Sequence, residues 1–195
     1  MPESLRGSPT SATYAAIGVQ FGVALPLLAE TFRHPTFRQY FFYYGVVILV
    51  LPFAIEALAR QWLHPLQRLA LVAAPAAHTY GVLLKLYGQF RWWDVVTHGL
   101  SAGLLAAGAY LFVLVVRGEK VERGWRFHTL PFLVVLVGGL GWEVYESIVP
   151  WLIVYGPLDT ARDVVVDLLA WVVVSRTYVT LLGTLPAGIR ERFAG

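Results

Sequence analysis

The stretch TLPFLVVLVGGLGWEVYESIVPWLIV, residues 129–154, decides the fold. A helix needs roughly 20 apolar residues to cross a hydrocarbon core of about 30 Å, and this stretch exceeds that. Yet Glu143 and Glu146 lie inside it. An ionisable side chain at the centre of a span costs roughly 2.5–3.5 kcal/mol on insertion scales, so the two glutamates call for a partner or a task.

Working outward, comparable apolar windows fall at about 14–31, 40–58, 66–86, 93–116 and 161–182, each bounded by charged or Pro/Gly-containing segments. The third, interrupted by Pro75, His78 and Lys85, is the least regular. The chain is 57% hydrophobic and 14% charged, whereas soluble domains carry about a quarter charged residues. The expected fold is therefore all-α: a polytopic bundle of about six transmembrane helices, forming a single transmembrane domain over residues 1–195. The N-terminal segment MPESLRGSPTSAT has no basic n-region or small-residue cleavage site, so the first window is expected to remain as a span.

Composition also excludes chemistry. With no cysteine there is no disulfide and no thiolate nucleophile or ligand, so any metal must take oxygen and nitrogen donors. The formal charge of +3 comes from basic residues dispersed over loops without interleaved aromatics, which argues against nucleic acid as a partner.

Orientation follows from the Lys/Arg bias of the short loops. Six spans put both termini on one side, with Arg6, Arg60, Arg68, Arg117, Lys120, Arg123, Arg126, Arg190 and Arg192. The other side holds Arg33, Arg38, Lys85, Arg91 and Arg162, a split of 9 to 5 with Arg176 left inside the last span. Both termini are expected in the cytoplasm, in a plasma-membrane protein.

Three segments concentrate the ionisable groups. RWWDVVTHGLSAG opens the fourth span with Asp94 and His98 four apart, on one helix face. GGLGWEVYESIVP sets Glu143 and Glu146 three apart, again on one face, and PLDTARDVVVDLLAW spaces Asp159, Asp163 and Asp167 by four. Spans four and six begin on the outer side and span five ends there, so these groups fall within about 15 Å, roughly three turns, of one boundary. Pro150 disfavours helix at Val149 and would bring Glu146 nearer to it.

Six carboxylates cannot all be charged side by side in a low-dielectric site. Either cations bind or some of the groups keep protons. Carboxylate oxygens with one imidazole suit Mg²⁺, Mn²⁺, Ca²⁺ or Zn²⁺. Structural readings stand beside the metal one: Asp94 as an N-terminal cap above a satisfied histidine, Asp159 as a cap or solvated loop residue, Glu143 and Glu146 as interhelical hydrogen-bond partners, and Asp163 paired with Arg162 or Arg91. Away from these segments, Glu56 and Arg60 read as an i, i+4 pair, Lys85 and Arg176 as snorkelling residues, and His78 as a core or supporting histidine.

At these residues the chain resembles the YjdF-like inner-membrane proteins and, more loosely, the VanZ-like membrane proteins. The similar pattern is an Asp four residues before a His in a glycine-rich helix, here Asp94 to His98 and Gly99. Then come Tyr-Glu-x-x-Glu-Trp, here Trp142, Glu143, Val144, Tyr145, Glu146 and Ser147, and Asp-Thr-x-x-Asp, here Asp159, Thr160, Ala161, Arg162 and Asp163. The resemblance runs over about residues 92–175. It departs from the VanZ-like pattern at Asp167, where that pattern has Asn, and at Ala170, where it has Gly, so a close glycine contact between helices is not expected at 170. The resemblance implies site positions rather than a reaction.

Two function classes follow. One is a metal-dependent enzyme acting on a lipid or polyprenyl-linked headgroup at the outer leaflet, with His98, Glu146 and Asp163 as catalytic candidates, His98 or Glu146 serving as general base, and Asp94, His98, Glu143, Glu146, Asp159, Asp163 and Asp167 as candidate ligands. The other is a proton- or cation-coupled transporter, or an ion-binding protein, using the same relay; at this length it would act as a homodimer.

Overall fold

The computed structural model describes residues 9–59, 62–115, 125–148 and 156–183. Among these, the chain forms α1 (Ser11–Arg33), a 3₁₀ turn (Pro35–Phe37), α2 (Arg38–Ala59), α3 (Pro65–Leu83), the one-turn α4 (Leu86–Gln89), α5 (Trp92–Val115), α6 (Trp125–Ile148) and α7 (Pro157–Gly183). No described residue is in a strand. The six long helices correspond to the six apolar windows, and Ser11–Arg33, Pro35–Ala57 and Trp125–Ile148 are each long and apolar enough to cross a membrane. The protein is an all-α membrane protein. Arg60 and Pro150 lie outside the described residues, and with them the expected Glu56–Arg60 pair and the expected effect of Pro150 on the fifth span.

The helix ends have local causes. Thr10 caps α1 through its Oγ1, which accepts from the Thr13 N–H at 3.2 Å, and the helix stops at His34, ahead of Pro35. α3 starts with Pro65 at its first position and a reciprocal box, in which the Leu66 N–H donates to His64 Nδ1 and the His64 N–H to Gln67 Oε1. It ends at Leu83, two residues short of Lys85, which takes a left-handed backbone with φ 56°. Lys85 therefore belongs to the turn after the helix and not to the span.

The chain divides into two compact units, Met1–Leu86 and Tyr87–Gly195. In the first, α1, α2 and α3 all pack on one another around Ala24, Leu27, Phe41, Ile48 and Val72. Pro52 inside α2 has no N–H to offer the carbonyl of Ile48 one turn back. Gln20 of α1 supplies the missing donor, its Nε2 donating to Ile48 O at 3.0 Å and to Leu49 O at 2.7 Å. In lipid every backbone carbonyl needs such a partner. The Gln20 carbonyl in turn accepts from Arg68, whose Nη2 lies 2.5 Å from Glu56 Oε1 and whose guanidinium sits 4.6 Å over the Phe53 ring. Arg68 is fully buried. Glu56 thus meets an arginine on the next helix, and it also accepts from the Leu63 N–H at 2.9 Å.

In the second unit, α5, α6 and α7 pack mutually. Ala102, Ala106 and Val135 form a core against Ala170, Trp171 and Val174, and the alanines let the helices approach closely. Val137, Val144, Leu169 and Val173 point outward and are exposed, as a lipid-facing surface requires.

Candidate functional site

One face of α5 carries Asp94, His98, Ala102 and Ala106 at four-residue spacing, and all four are buried. The polar end of that face is the start of the helix. Asp94 lies in the first turn, where free N–H groups and the positive end of the dipole favour a carboxylate. Asp159 holds the equivalent place in α7, followed by Asp163 and Asp167 on successive turns. α6 runs the other way, so Glu143 and Glu146 come near its end.

Five of the candidate carboxylates, those of Asp94, Glu143, Glu146, Asp163 and Asp167, gather around the imidazole of His98, whereas Asp159 is joined to them through Arg162. His98 Nδ1 is 3.2 Å from Asp167 Oδ1, and His98 Nε2 is 3.6 Å from Glu143 Oε1 and 4.0 Å from Asp94 Oδ1. Two overlapping sets could each hold a cation: Asp94, His98 and Asp163, and His98, Glu143 and Glu146. Within each set, one ligand atom per residue lies within 4.8 Å of the others. Trp142 Nε1 donates to Glu146 Oε1 at 2.7 Å and so aims that carboxyl group. Thr97 supports the rim, its hydroxyl accepting from Tyr87 at 3.2 Å and donating to the Asp94 carbonyl at 2.9 Å.

The two sets differ in how their charge is met. Arg162 Nη2 stands 2.8 Å from Asp94 Oδ2, 2.7 Å from Asp159 Oδ1 and 2.9 Å from Asp163 Oδ1, and its Nε donates to Asp163 at 3.0 Å. The first set therefore already carries a cation of the chain's own. In the second set, His98 Nε2 and Glu143 Oε1 are buried and have no hydrogen-bond partner among the described residues. Their side chains are only 6% and 7% exposed.

Sequence reasoning had Arg162 as one of two possible partners of Asp163 and did not anticipate a guanidinium bridging three aspartates on two helices. It also missed Gly139. A methyl group at Gly139 would collide with the Asp167 carboxylate, so this glycine makes the space that the acid occupies. The close helix contact doubted at Ala170 is thus made by α6 instead, while Ala170 packs on Ala102, Ala106 and Val135.

Residues 15–183 match a protein family described as "Predicted membrane protein (DUF2238)". No curated protein and no solved structure matches the chain.

Proposed function

The chain belongs to the DUF2238 family of predicted membrane proteins, and on that premise we propose that it is a membrane-embedded, metal-dependent enzyme acting on a lipid or polyprenyl-linked headgroup at the outer leaflet. The observation that carries this reading is the pair His98 Nε2 and Glu143 Oε1, both deeply buried, 3.6 Å apart and without hydrogen-bond partners among the described residues. Buried polar atoms are almost always satisfied, and an imidazole nitrogen facing a carboxylate oxygen offers two lone pairs that a cation can take. A divalent ion, Mg²⁺, Mn²⁺, Ca²⁺ or Zn²⁺, would lie among His98, Glu143 and Glu146, with Asp94 in reach, and would polarise a phosphoryl or acyl oxygen of the headgroup. Asp163 and Asp159 hold Arg162 at the rim, where a partly exposed guanidinium suits an anionic headgroup. Glu146 or His98, whichever is not a ligand, is the general base.

The reading sets the chain in the plasma membrane as one domain of six spans with both termini cytoplasmic, from the 9 to 5 Lys/Arg split. Cysteines introduced for Ser8 and Gly156 test the orientation. An impermeant thiol reagent on intact cells should label position 156 and spare position 8, and the reverse pattern overturns it.

A proton- or cation-coupled transporter, working as a homodimer, is the second reading, favoured by the excess of carboxylates over Arg162 and His98. Metal content of the purified protein, with headgroup release from bilayer lipids, is to be set against ion flux in proteoliposomes. About one ion per chain with lipid turnover supports the enzyme. Ion flux without turnover supports the transporter, and absence of any bound ion removes the metal-dependent enzyme.

A further inference from the structure

We infer that Asp167 is a positioning residue for His98 and not a metal ligand, and that Gly139 is the residue that admits it; this rests on the metal-centred reading above. An ionised carboxylate only accepts, so with Asp167 ionised the 3.2 Å contact between its Oδ1 and His98 Nδ1 puts the proton on Nδ1. That leaves the lone pair of a neutral imidazole on Nε2, the atom that faces Glu143 Oε1 at 3.6 Å and Asp94 Oδ1 at 4.0 Å. Hydrogen bonds between nitrogen and oxygen run at about 2.7–3.2 Å. Two ligand atoms at about 2.0–2.2 Å from one zinc-sized ion, at a tetrahedral angle, stand about 3.4 Å apart. The Nε2 to Oε1 separation matches the second figure. Both atoms are buried and have no hydrogen-bond partner among the described residues, so the ligand direction is marked independently of the clustering of acids.

Asp167 reaches this place through a slot in α6. A Cβ built at Gly139 meets the Asp167 carboxylate oxygen head-on and lies 3.3 Å from its Cγ. Asp167 is 4% exposed, so the group cannot swing into water and keep its contact with His98. The two residues act on the metal only through the imidazole: one removes a methyl group, the other uses the space to fix a tautomer and a ring angle. Carboxylates behind a metal-bound histidine typically contribute 10–100-fold to affinity.

The test uses the full chain in detergent, titrated with Co²⁺ and followed by its visible absorption band, with Zn²⁺ affinity by competition. Asp167→Ala should weaken binding by about 10–100-fold. Asp167→Asn, whose amide oxygen still accepts from Nδ1–H, should restore at least about tenfold of that loss and keep the shape of the Co²⁺ band. Gly139→Ala, which changes no ligand and no charge, should weaken binding as Asp167→Ala does. If Asp167→Asn is as weak as Asp167→Ala with an altered band, Asp167 is a ligand and the inference is overturned. Wild-type affinity in Gly139→Ala overturns the slot. Should Gly139→Ala fail to give monodisperse protein, the Asn and Ala variants at 167 decide between the two roles. A wild-type chain that takes up no ion removes the metal-centred reading and this inference together, whereas the first two failures leave that reading standing.

Discussion

Each unit buries a polar cluster, and the two are composed on different plans. Between α1, α2 and α3 one arginine, Arg68, faces one glutamate, Glu56, and Gln20 joins them to two backbone carbonyls. Charge is balanced one to one. Between α5, α6 and α7 six carboxylates share Arg162 and His98. A matched pair in a low-dielectric interior specifies packing, whereas an unmatched excess of one sign is costly to the fold and is explained by a ligand or a proton. Stoichiometry, more than the presence of charge, is where the two clusters differ.

The largest expected effect lies in the balanced cluster. Arg68→Ala should destabilise the protein by about 3–5 kcal/mol in detergent unfolding, because Glu56 is left buried and uncompensated. The double variant Arg68→Met with Glu56→Leu should recover most of that loss. A single variant with wild-type stability would show the pair to be dispensable and break the comparison.

Next comes Gln20→Leu, with an expected cost of about 1–3 kcal/mol, since the carbonyls beside Pro52 lose their donor. Adding Pro52→Ala to it, which restores an N–H to α2, should reduce the cost; equal costs with and without the proline would detach Gln20 from the carbonyls it serves.

Removing the arginine of the other cluster sharpens the contrast. Arg162 has a side chain 36% exposed, and a proton or a bound cation can compensate the buried Asp163, so Arg162→Gln should cost clearly less than Arg68→Ala. A loss comparable to Arg68→Ala would mean that the acidic cluster is held together by this residue and is structural.

The smallest stability effects are expected from Glu146→Gln and Asp163→Asn. Each removes charge from the crowded side while Arg162 keeps Asp94 and Asp159. Melting without added ions should be nearly unchanged or slightly raised, and stabilisation by Mg²⁺, Mn²⁺, Ca²⁺ or Zn²⁺ should be lost. Strong destabilisation of both variants, with no ion shifting the wild type, would return the cluster to a structural role.

Much of this contrast was legible in one dimension. The apolar windows overlie the six long helices, and the YjdF-like motifs agree with the family that covers residues 15–183. The spacings 94/98, 143/146 and 159/163/167 placed each group on one face because helical neighbours repeat every three to four residues. What that periodicity cannot express is contact between helices. The i, i+4 rule pairs Glu56 with Arg60, which lies outside the described residues, and could not point to Arg68, twelve residues on and across a turn, which Glu56 meets. Arg162 lies 68 residues from Asp94, and Gly139 acts by lacking atoms, which leaves no chemical signature in a sequence. Gln20 stands in one apolar window while the carbonyls it serves lie 28 and 29 residues on, beside a proline of the next helix.

That pairing has a consequence for biosynthesis. Gln20 leaves the ribosome 28 residues ahead of Ile48. The donor is therefore already available when the proline-interrupted helix emerges, and the orphaned carbonyl need not wait in hydrocarbon, where it would cost several kcal/mol. Glu56 has no such forerunner: its arginine follows it in the chain, and at about 5–20 residues per second Arg68 is made on the order of a second later. A nascent chain arrested between the two should hold its second helix at the translocon, so that α2 and α3 enter the bilayer as a pair.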